Sequence, residues 1–280
     1  GSEMCIRDRC SIYRTYKRPD VSVVDSLYHQ PALSADTTAS IADLSWKELF
    51  TDSQLQSLIE KGLCNNSDLG IARLRVKEAE ALLKSARLSY LPSLDLSPQG
   101  TISKAEHGNT TKSYDLAVSA SWEIDIFGKL TNAKREARAV LEQNEAYRQA
   151  VQTQLIATIA NNYYMLLMLD EQLGITRRTA ENWAENLRVM KALKRAGQAT
   201  DMAVAQTEAS KLSVDASLLS LERQITELEN SLSALLGTPS ASIERSTLDT
   251  QSFPDTLLVG VPLQLLQRRP DIRQSEAELA

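Results

Sequence analysis

The residue types that carry enzyme chemistry are scarce in this sequence. It contains two histidines, His29 and His107, and neither has a plausible nucleophile near it along the chain. A Ser-His-Asp or Cys-His site would have to recruit one of them from a distance. The motifs HExxH, CxxC and GxGxxG do not occur, and Gly128-Lys129 lacks the flanking residues of a phosphate-binding loop. We therefore expect no enzyme, no metal site and no cofactor.

The three cysteines have neither the spacing of a metal site nor the even count of a closed disulfide framework. Unpaired thiols are the simple interpretation of Cys5, Cys10 and Cys64, and Cys10 has a second one given below. Residues 1–9 lack the apolar core of a signal peptide. We interpret them as an artefactual, non-native leader.

Composition limits the classes of partner. The net charge of −5 gives no support to nucleic-acid binding. No apolar run approaches the ~18 residues of a membrane-spanning helix. If the protein meets a bilayer, it must do so through strands or through an anchor.

Two carboxylates, Glu123 and Asp125, lie two residues apart in a stretch that alternates strictly between apolar and polar residues. This period predicts a strand with one apolar and one polar face. Asp115 belongs to the same polar face. The three carboxylates either line a water-filled passage or form an ordinary solvated face. The apolar face comprises Tyr114, Leu116, Val118, Ala120, Trp122 and Ile124.

A weaker alternation over residues 93–104, followed by a polar loop, predicts a β-hairpin over 93–125. A hairpin is marginally stable alone in water, whereas an apolar outside and a polar inside are typical of transmembrane barrel strands. A few strands cannot close a barrel, so several copies must share one. The aromatic residues near the strand ends either pack in a core or form a girdle at a membrane surface; they are Tyr90, Tyr114, Trp122 and Phe127.

The remaining pattern is helical. Apolar residues at steps of three and four predict helices over 52–90, 128–196 and 201–236. The middle helix, ~68 residues at ~1.5 Å each, would be roughly 100 Å long, which is typical of coiled coils and tubes. Gly197 predicts the turn into the next helix, and Thr200 or Asp201 its N-cap. The fold class is therefore mostly α, with a membrane β-hairpin and long antiparallel coiled-coil helices.

An internal repeat suggests the domain organisation. Residues 63–72 and 266–275 align with an offset of 203 residues, and each precedes a predicted helix. We expect an extended arm over 10–50, a first repeat over 51–237, a linker over 238–262 and the start of a second repeat over 263–280. On this interpretation the chain is truncated within the second repeat.

Four segments together resemble one family. "SASWEIDIFGK", "KRAGQATDMAVAQTEA", "ENSLSALLGTP" and "LLQRRPDIRQSEAELA" are similar to the strand-to-helix junction, helix turn and other motifs of TolC-type outer-membrane efflux channels, in the OprM- and NodT-like lipoprotein branch. "CSIYRTYKRPD" resembles the start of the mature lipoproteins. The resemblance covers about residues 45–280.

The resemblance implies an outer-membrane duct in a Gram-negative cell, made of three chains that share one β-barrel and one long α-barrel. It implies docking to a periplasmic adaptor (a membrane fusion protein) and an inner-membrane RND-type pump. By this match Cys10 carries lipid. Arg195, Gly197, Thr200 and Asp201 lie at the periplasmic tip and contact the adaptor.

The first interpretation is a passive exit duct for small molecules in a tripartite efflux system. A soluble periplasmic coiled-coil scaffold, with the alternating segment as a soluble hairpin, is the alternative. An enzyme whose site is assembled across the chain is a third.

Overall fold

A computed structural model describes residues 45–104, 110–252 and 269–279. The predicted leader 1–9, most of the arm, Cys10, both histidines and part of the linker lie outside these residues. The described chain runs in the order α1 Trp46–Leu49, α2 Ser53–Asn65, α3 Ser67–Leu88, β1 Ser93–Lys104, β2 Thr110–Ser121, α4 Lys129–Arg195, α5 Asp201–Leu235 and α6 Pro270–Leu279, with a 3₁₀ turn at Leu248–Thr250.

The chain divides into two compact units. The first unit takes in residues 72–148 and 270–279, and so contains most of α3, the hairpin, the start of α4 and α6. The second takes in residues 45–71 and 149–252, and so contains α1, α2 and the rest of α4 with α5. The mostly α fold with one β-hairpin is confirmed.

In the second unit, α4 and α5 are antiparallel. Ion pairs join Arg177 to Glu222 at 3.0 Å and Lys191 to Glu208 at 3.6 Å, so that positions rising along α4 meet positions falling along α5. The residues between these pairs include buried side chains of the predicted apolar seams. Along the whole of α5, the buried side chains of the predicted seam are Val204, Thr207, Leu221, Ile225 and Leu232.

The core of the second unit is formed by α2, the first turn of α3, α4 and α5. Its fully buried large side chains are Leu55, Ile59, Leu69, Ile159, Tyr163, Leu166, Leu167, Leu232 and Leu236. The first unit buries fewer large side chains. Its buried apolar residues are chiefly Ala72, Ala79, Leu83, Leu130 and Ala146. The hydrophobic effect scales with the apolar surface area that is buried. The second unit therefore contributes the larger share of the hydrophobic stabilisation.

The single helix predicted over 52–90 is two helices. Asn66 has an extended backbone, with φ −62° and ψ 128°, and its N–H still donates to the Gly62 carbonyl. Its side-chain oxygen accepts from the Leu69 N–H at 3.0 Å, which makes Asn66 the N-cap of α3. The 3–4 apolar seam begins at Leu69, after this break, and the four residues before it, 65–68, are all polar. The seam therefore carries no information on where the first helix ends.

The C-terminal end of α5 has the hydrogen bonds of a Schellman motif. The Thr238 N–H donates to the Ser233 carbonyl at 3.0 Å, and the Gly237 N–H to the Ala234 carbonyl at 3.2 Å. Gly237 has φ +64°, and a side chain there would come within 3.0 Å of the Asn65 carbonyl oxygen. The Asn66 side chain donates to the Leu235 carbonyl at 3.0 Å, so α5 ends directly against the α2–α3 break.

Over the described ranges, none of the helices carries an apolar stretch able to cross a bilayer. Helix α6 begins at Pro270, the position that the internal alignment places on Ser67, where α3 begins. Proline suits this first helical position because its missing N–H would have no partner there.

Candidate functional site: hairpin, junction and helix turn

The register of the hairpin aligns the apolar residues of its two strands. Leu96 pairs with Val118, Leu94 with Ala120 and Pro98 with Leu116, while Asp95 pairs with Ser119 and Gln99 with Asp115. Directly opposite residues of an antiparallel pair point to the same face. One face is therefore apolar and the other polar, as the period of two predicts.

The apolar face is exposed in this chain. Between 63% and 79% of the surface of each of its large residues is accessible; they are Leu94, Leu96, Ile102, Tyr114, Leu116 and Val118. Water-exposed apolar patches of this kind mark contact with another protein or with lipid. Five residues of the predicted apolar face are expected to face lipid: Tyr114, Leu116, Val118, Trp122 and Ile124. The first three lie on this exposed face of the hairpin.

The strand is shorter than the sequence predicts. β2 ends at Ser121, so Trp122, Glu123, Ile124 and Asp125 lie in the connection to α4 and not on the strand. The Trp122 indole N–H donates to the Tyr90 carbonyl at 3.1 Å and fastens this connection to the end of the α3 segment. Trp122 and Ile124 keep about two thirds of their surface exposed, at 65% and 64%.

Asp125 caps α4. Its carboxylate accepts from the Leu130 N–H at 3.1 Å, the Thr131 N–H at 2.9 Å and the Thr131 hydroxyl at 2.6 Å. These donors belong to the first turn of α4, where backbone N–H groups lack intrahelical partners. The hydrogen bond from the Thr131 hydroxyl, with those from the backbone, lowers the pKa of Asp125.

The Lys129 ammonium donates a hydrogen bond to the Glu123 carboxylate, with 2.8 Å between Nζ and Oε1. This bond raises the pKa of Lys129. Two of the three carboxylates predicted to line a passage are thus held by the start of α4. Asp115 is the one that lies on the polar strand face, opposite Gln99.

Tyr90 joins this junction from the other side. Its hydroxyl donates to the Thr131 hydroxyl at 3.1 Å, and the Lys134 ammonium lies 5.8 Å from the centre of its ring. Together with the indole contact of Trp122, these bonds make the strand-to-helix junction a closed polar network. Such a network fixes the angle at which the hairpin leaves the helices.

The turn between α4 and α5 is a second Schellman motif. The Gln198 N–H donates to the Leu193 carbonyl at 2.9 Å, and the Gly197 N–H to the Lys194 carbonyl at 3.0 Å. Gly197 has φ +73°, and a side chain there would meet no atom within 4 Å. Left-handed backbone is costly for other L-residues, which explains the glycine.

The predicted tip residues lie together in this turn. The Thr200 hydroxyl oxygen accepts from the Ala203 N–H at 3.2 Å as the N-cap of α5. Asp201 forms an ion pair with Lys194 across the turn. Arg195 ends α4 and is exposed to solvent.

A cluster that sequence reasoning missed is centred on Arg245, within the segment predicted as a linker. Its guanidinium donates to Asp170 on α4, at 2.5 and 2.8 Å, and to Glu229 on α5, at 2.5 Å. Only 14% of the Arg245 and Glu229 side chains is exposed. The hydrogen bonds from Arg245 to the Asp170 carboxylate raise the pKa of the arginine further above its usual value.

A neighbouring network binds the same segment to α2 and α4. The Tyr163 hydroxyl donates to Asp52 at 2.6 Å and accepts from the Ser246 N–H at 3.0 Å. The Gln251 amide also donates to Asp52, at 2.8 Å. Residues 242–252, which we call the strap, are therefore held by α2, α4 and α5.

The family of the chain follows from comparison with known proteins. A family model described as outer membrane efflux protein matches residues 58–238. That range is more than half of the chain. The chain belongs to the outer membrane efflux protein family.

Individual relatives match a larger part of the chain than the family model does. The pyoverdine export outer membrane protein OpmQ of Pseudomonas aeruginosa is 33% identical over 84% of this chain and 52% of its own length. The probable outer membrane lipoprotein SilC of Salmonella typhimurium is 29% identical over 96% of this chain and 59% of its own length. The chain thus spans little more than half the length of these relatives.

Solved structures agree. The open state of the MtrE outer membrane channel of Neisseria gonorrhoeae has a TM-score of 0.78 and 28% identity, over 96% of this chain and 61% of its own. The resemblance to TolC-type channels and the fold class are confirmed by these relatives. They are transport proteins and not enzymes, and nothing in them favours a scaffold without a channel.

The described part of the efflux protein holds no group of three or more His, Cys, Asp or Glu that could bind a metal ion. Cys64 is an exposed free thiol near the end of α2. Cys10, His29 and His107 lie outside the described residues.

Proposed function

We propose that this chain is a channel subunit of a tripartite efflux system, and that it provides part of a passive exit duct for small molecules across the periplasm and outer membrane. The observation that carries the proposal is the hairpin register, which puts the apolar residues of two strands on one exposed face. The subunit performs no chemistry, and its strands complete a barrel only when copies assemble.

In this arrangement the apolar face of the hairpin contacts lipid, through Tyr114, Leu116 and Val118, and Asp115 faces the water-filled side. Trp122 and Ile124 lie at the edge of the bilayer because β2 ends before them. Tryptophan is favoured at such an edge, since its ring is apolar and its N–H needs a polar partner. Glu123 and Asp125 sit beside the start of α4, at the mouth of the barrel.

Two adjacent positions test the facing assignment. Val118→Arg puts a charge on the apolar face at mid-strand, where an arginine at the bilayer midplane costs about 2–4 kcal/mol. Ser119→Arg puts the same charge on the polar face. We expect Val118→Arg to leave the protein out of the urea-resistant membrane fraction and Ser119→Arg to keep it there. Equal membrane recovery of both variants would refute the channel assignment, and so would a wild-type protein that stays soluble without detergent.

The partners follow from the same proposal. A homotrimer completes the barrel, and the turn at Arg195, Gly197, Thr200 and Asp201 docks to a periplasmic adaptor that connects the duct to an RND-type pump. A photo-crosslinking residue at Arg195 should capture the adaptor in cells. The same residue at Arg178, exposed on α4 far from the turn, is the matched control. Adaptor capture at the control site alone would refute the docking assignment.

Cys10 is the proposed lipid anchor on the periplasmic side of the outer membrane. SilC, a relative of this chain, is named a lipoprotein. Labelling with a palmitate analogue should mark the wild-type protein and not a Cys10→Ser variant. Label that persists in Cys10→Ser would remove the anchor from the proposal and leave the hairpin assignment standing.

A further inference from the structure

In the first unit, the type of exposed side chain changes in order from the hairpin toward the helices: apolar, then aromatic, then cationic. The strands present the exposed apolar face. Next come Trp122 and Phe127, 65% and 83% exposed, in the connection between β2 and α4. Beyond them, both helices that join the hairpin carry cationic side chains. We call these residues the cationic belt; they are Lys84, Arg87, Lys129, Lys134, Arg135 and Arg138.

The cationic belt is confined to the helix ends beside the hairpin. Lys84 and Arg87 lie in the last two turns of α3, and the other four lie within the first ten residues of α4. At ~1.5 Å per residue, the whole belt falls within about 14 Å of the helix ends. All six side chains are exposed.

The belt is an excess of positive charge in a chain whose net charge is −5. The same segments contain one acidic residue, Glu136, and the connection before them adds Glu123 and Asp125. Asp125 is occupied as the cap of α4, and Glu123 pairs with Lys129. Some positive charge is therefore left without an internal counter-charge.

Three members of the belt have neither an ion pair nor an aromatic ring as a partner among the described residues. Lys84, Arg87 and Arg135 form no ion pair with any residue that the structure describes. Of the others, Arg138 contacts Glu142 at 3.1 Å and Lys134 lies over the Tyr90 ring. Unpaired, exposed cations on flexible stems are free to reach a charged surface beside them.

We propose that the cationic belt binds anionic phospholipid headgroups at the bilayer surface through which the hairpin enters the membrane. This rests on the proposed function, because it needs the hairpin to be in lipid. An apolar zone, a zone of aromatic residues and a zone of cations follow one another in the order of hydrocarbon, interface and headgroup. The charge of the belt is opposite to that of the headgroups, and its position continues directly from the apolar face.

Binding by the belt should depend on lipid charge and on salt. Each lysine or arginine held at an anionic surface strengthens binding roughly fivefold. The attraction falls off within a Debye length, ~8 Å at physiological ionic strength, so only cations next to the hairpin contribute.

The test compares two triple variants of the full chain. Lys84→Gln, Arg87→Gln and Arg135→Gln together remove the unpaired belt cations. The matched control, Lys61→Gln, Arg178→Gln and Arg223→Gln, removes three exposed cations from the second unit and changes the net charge equally. Co-flotation measures binding to vesicles of phosphatidylcholine and of an equal mixture of phosphatidylcholine and phosphatidylglycerol.

We expect the wild type and the control to bind the mixed vesicles on the order of 100-fold more tightly than the belt variant does at low salt. The difference should vanish in pure phosphatidylcholine and in ~1 M salt, where the Debye length is ~3 Å. Equal affinity of the belt variant and the control for mixed vesicles would overturn headgroup binding by the belt and leave the proposed function standing. Failure of the wild type to bind either kind of vesicle would overturn the proposed function with it.

Discussion

The C-terminal ends of α4 and α5 share one backbone motif and differ in their surroundings. Both end in a pair of Schellman hydrogen bonds around a left-handed glycine, Gly197 after α4 and Gly237 after α5. Gly197 has open space where a side chain would be, whereas Gly237 lies against the backbone of Asn65. We call the two regions the open turn, residues 193–201, and the packed end, residues 233–252 with Asn65 and Asn66.

One local motif therefore serves two purposes. At the open turn the glycine only reverses the chain. At the packed end it also lets α5 approach the α2–α3 break closely enough for Asn66 to reach the Leu235 carbonyl. Equivalent substitutions at the two regions should therefore have unequal effects on stability.

Removing a charged side chain should give the largest difference in stability loss between the packed end and the open turn. Arg245→Ala leaves Glu229, 14% exposed, and Asp170 beside each other without their common partner. Breaking a largely buried ion pair costs about 3 kcal/mol or more. At the open turn, Lys194→Ala removes an exposed ion pair with Asp201, worth at most about 1 kcal/mol. Urea unfolding followed by circular dichroism should show the larger loss for Arg245→Ala. Equal losses would mean that the ion pairs of Arg245 stabilise the fold no more than the exposed pair at the open turn does.

The paired glycines separate backbone strain from packing. Gly197→Ala should cost only the strain of left-handed backbone, about 1 kcal/mol. Gly237→Ala adds a Cβ 3.0 Å from the Asn65 carbonyl oxygen and 3.3 Å from the Asn65 Cβ, and should cost about 2–3 kcal/mol in all. The measurement is the change in unfolding free energy of each variant. The comparison fails if Gly197→Ala is the more destabilising of the two.

The helix caps give a smaller contrast. Asn66→Ala removes the cap of α3 and also leaves the Leu235 carbonyl without that donor, so it should cost about 2 kcal/mol. Thr200→Ala removes the cap of α5 at an exposed position, for about 1 kcal/mol. Amide exchange of Leu69 and Ala203, the capped N–H groups, reports each change locally. Faster exchange at Ala203 than at Leu69, each in its own variant, would contradict this order.

These regions also show what could be predicted from the sequence. Apolar spacing predicted the hairpin faces and the helices, and a glycine followed by cap-forming residues predicted the turn at Gly197. Each of these signals depends on residues close together in the chain. The break at Asn66 was missed although three cap-forming residues, Asn66, Ser67 and Asp68, mark it. The 3–4 apolar spacing starts at Leu69, after the break, so it gives no sign of the boundary.

The strap and the role of Asp125 were missed for other reasons. Arg245 meets Asp170 and Glu229 across 75 and 16 positions of the chain, and no local period encodes such a contact. Asp125 continues the alternation of the strand, so its position predicted a strand face. The chain leaves the sheet at Ser121, and the carboxylate turns to the free N–H groups of α4.

Acid should give the smallest of these effects, and Asp52, which contacts the strap, is the group that tests it at the packed end. Partial burial raises the pKa of Asp52, but hydrogen bonds from Tyr163, Gln251 and the Gln54 N–H outweigh it and hold the pKa below the usual 3.8. A lowered folded-state pKa means that the carboxylate stabilises the fold above the unfolded pKa. This contribution is lost as the pH falls through the folded-state pKa.

Asp52→Asn tests this directly, because asparagine keeps a capping oxygen for α2 and does not titrate. The wild type should be more stable than Asp52→Asn at neutral pH, and the difference should shrink as the pH falls below about 4. Thr200, the corresponding cap at the open turn, has no titrating group, so Thr200→Ala should differ from the wild type equally at both pH values. Urea midpoints at the two pH values measure both differences. A gap between the wild type and Asp52→Asn that stays constant on acidification would show that Tyr163 and Gln251 do not stabilise the charged form of Asp52.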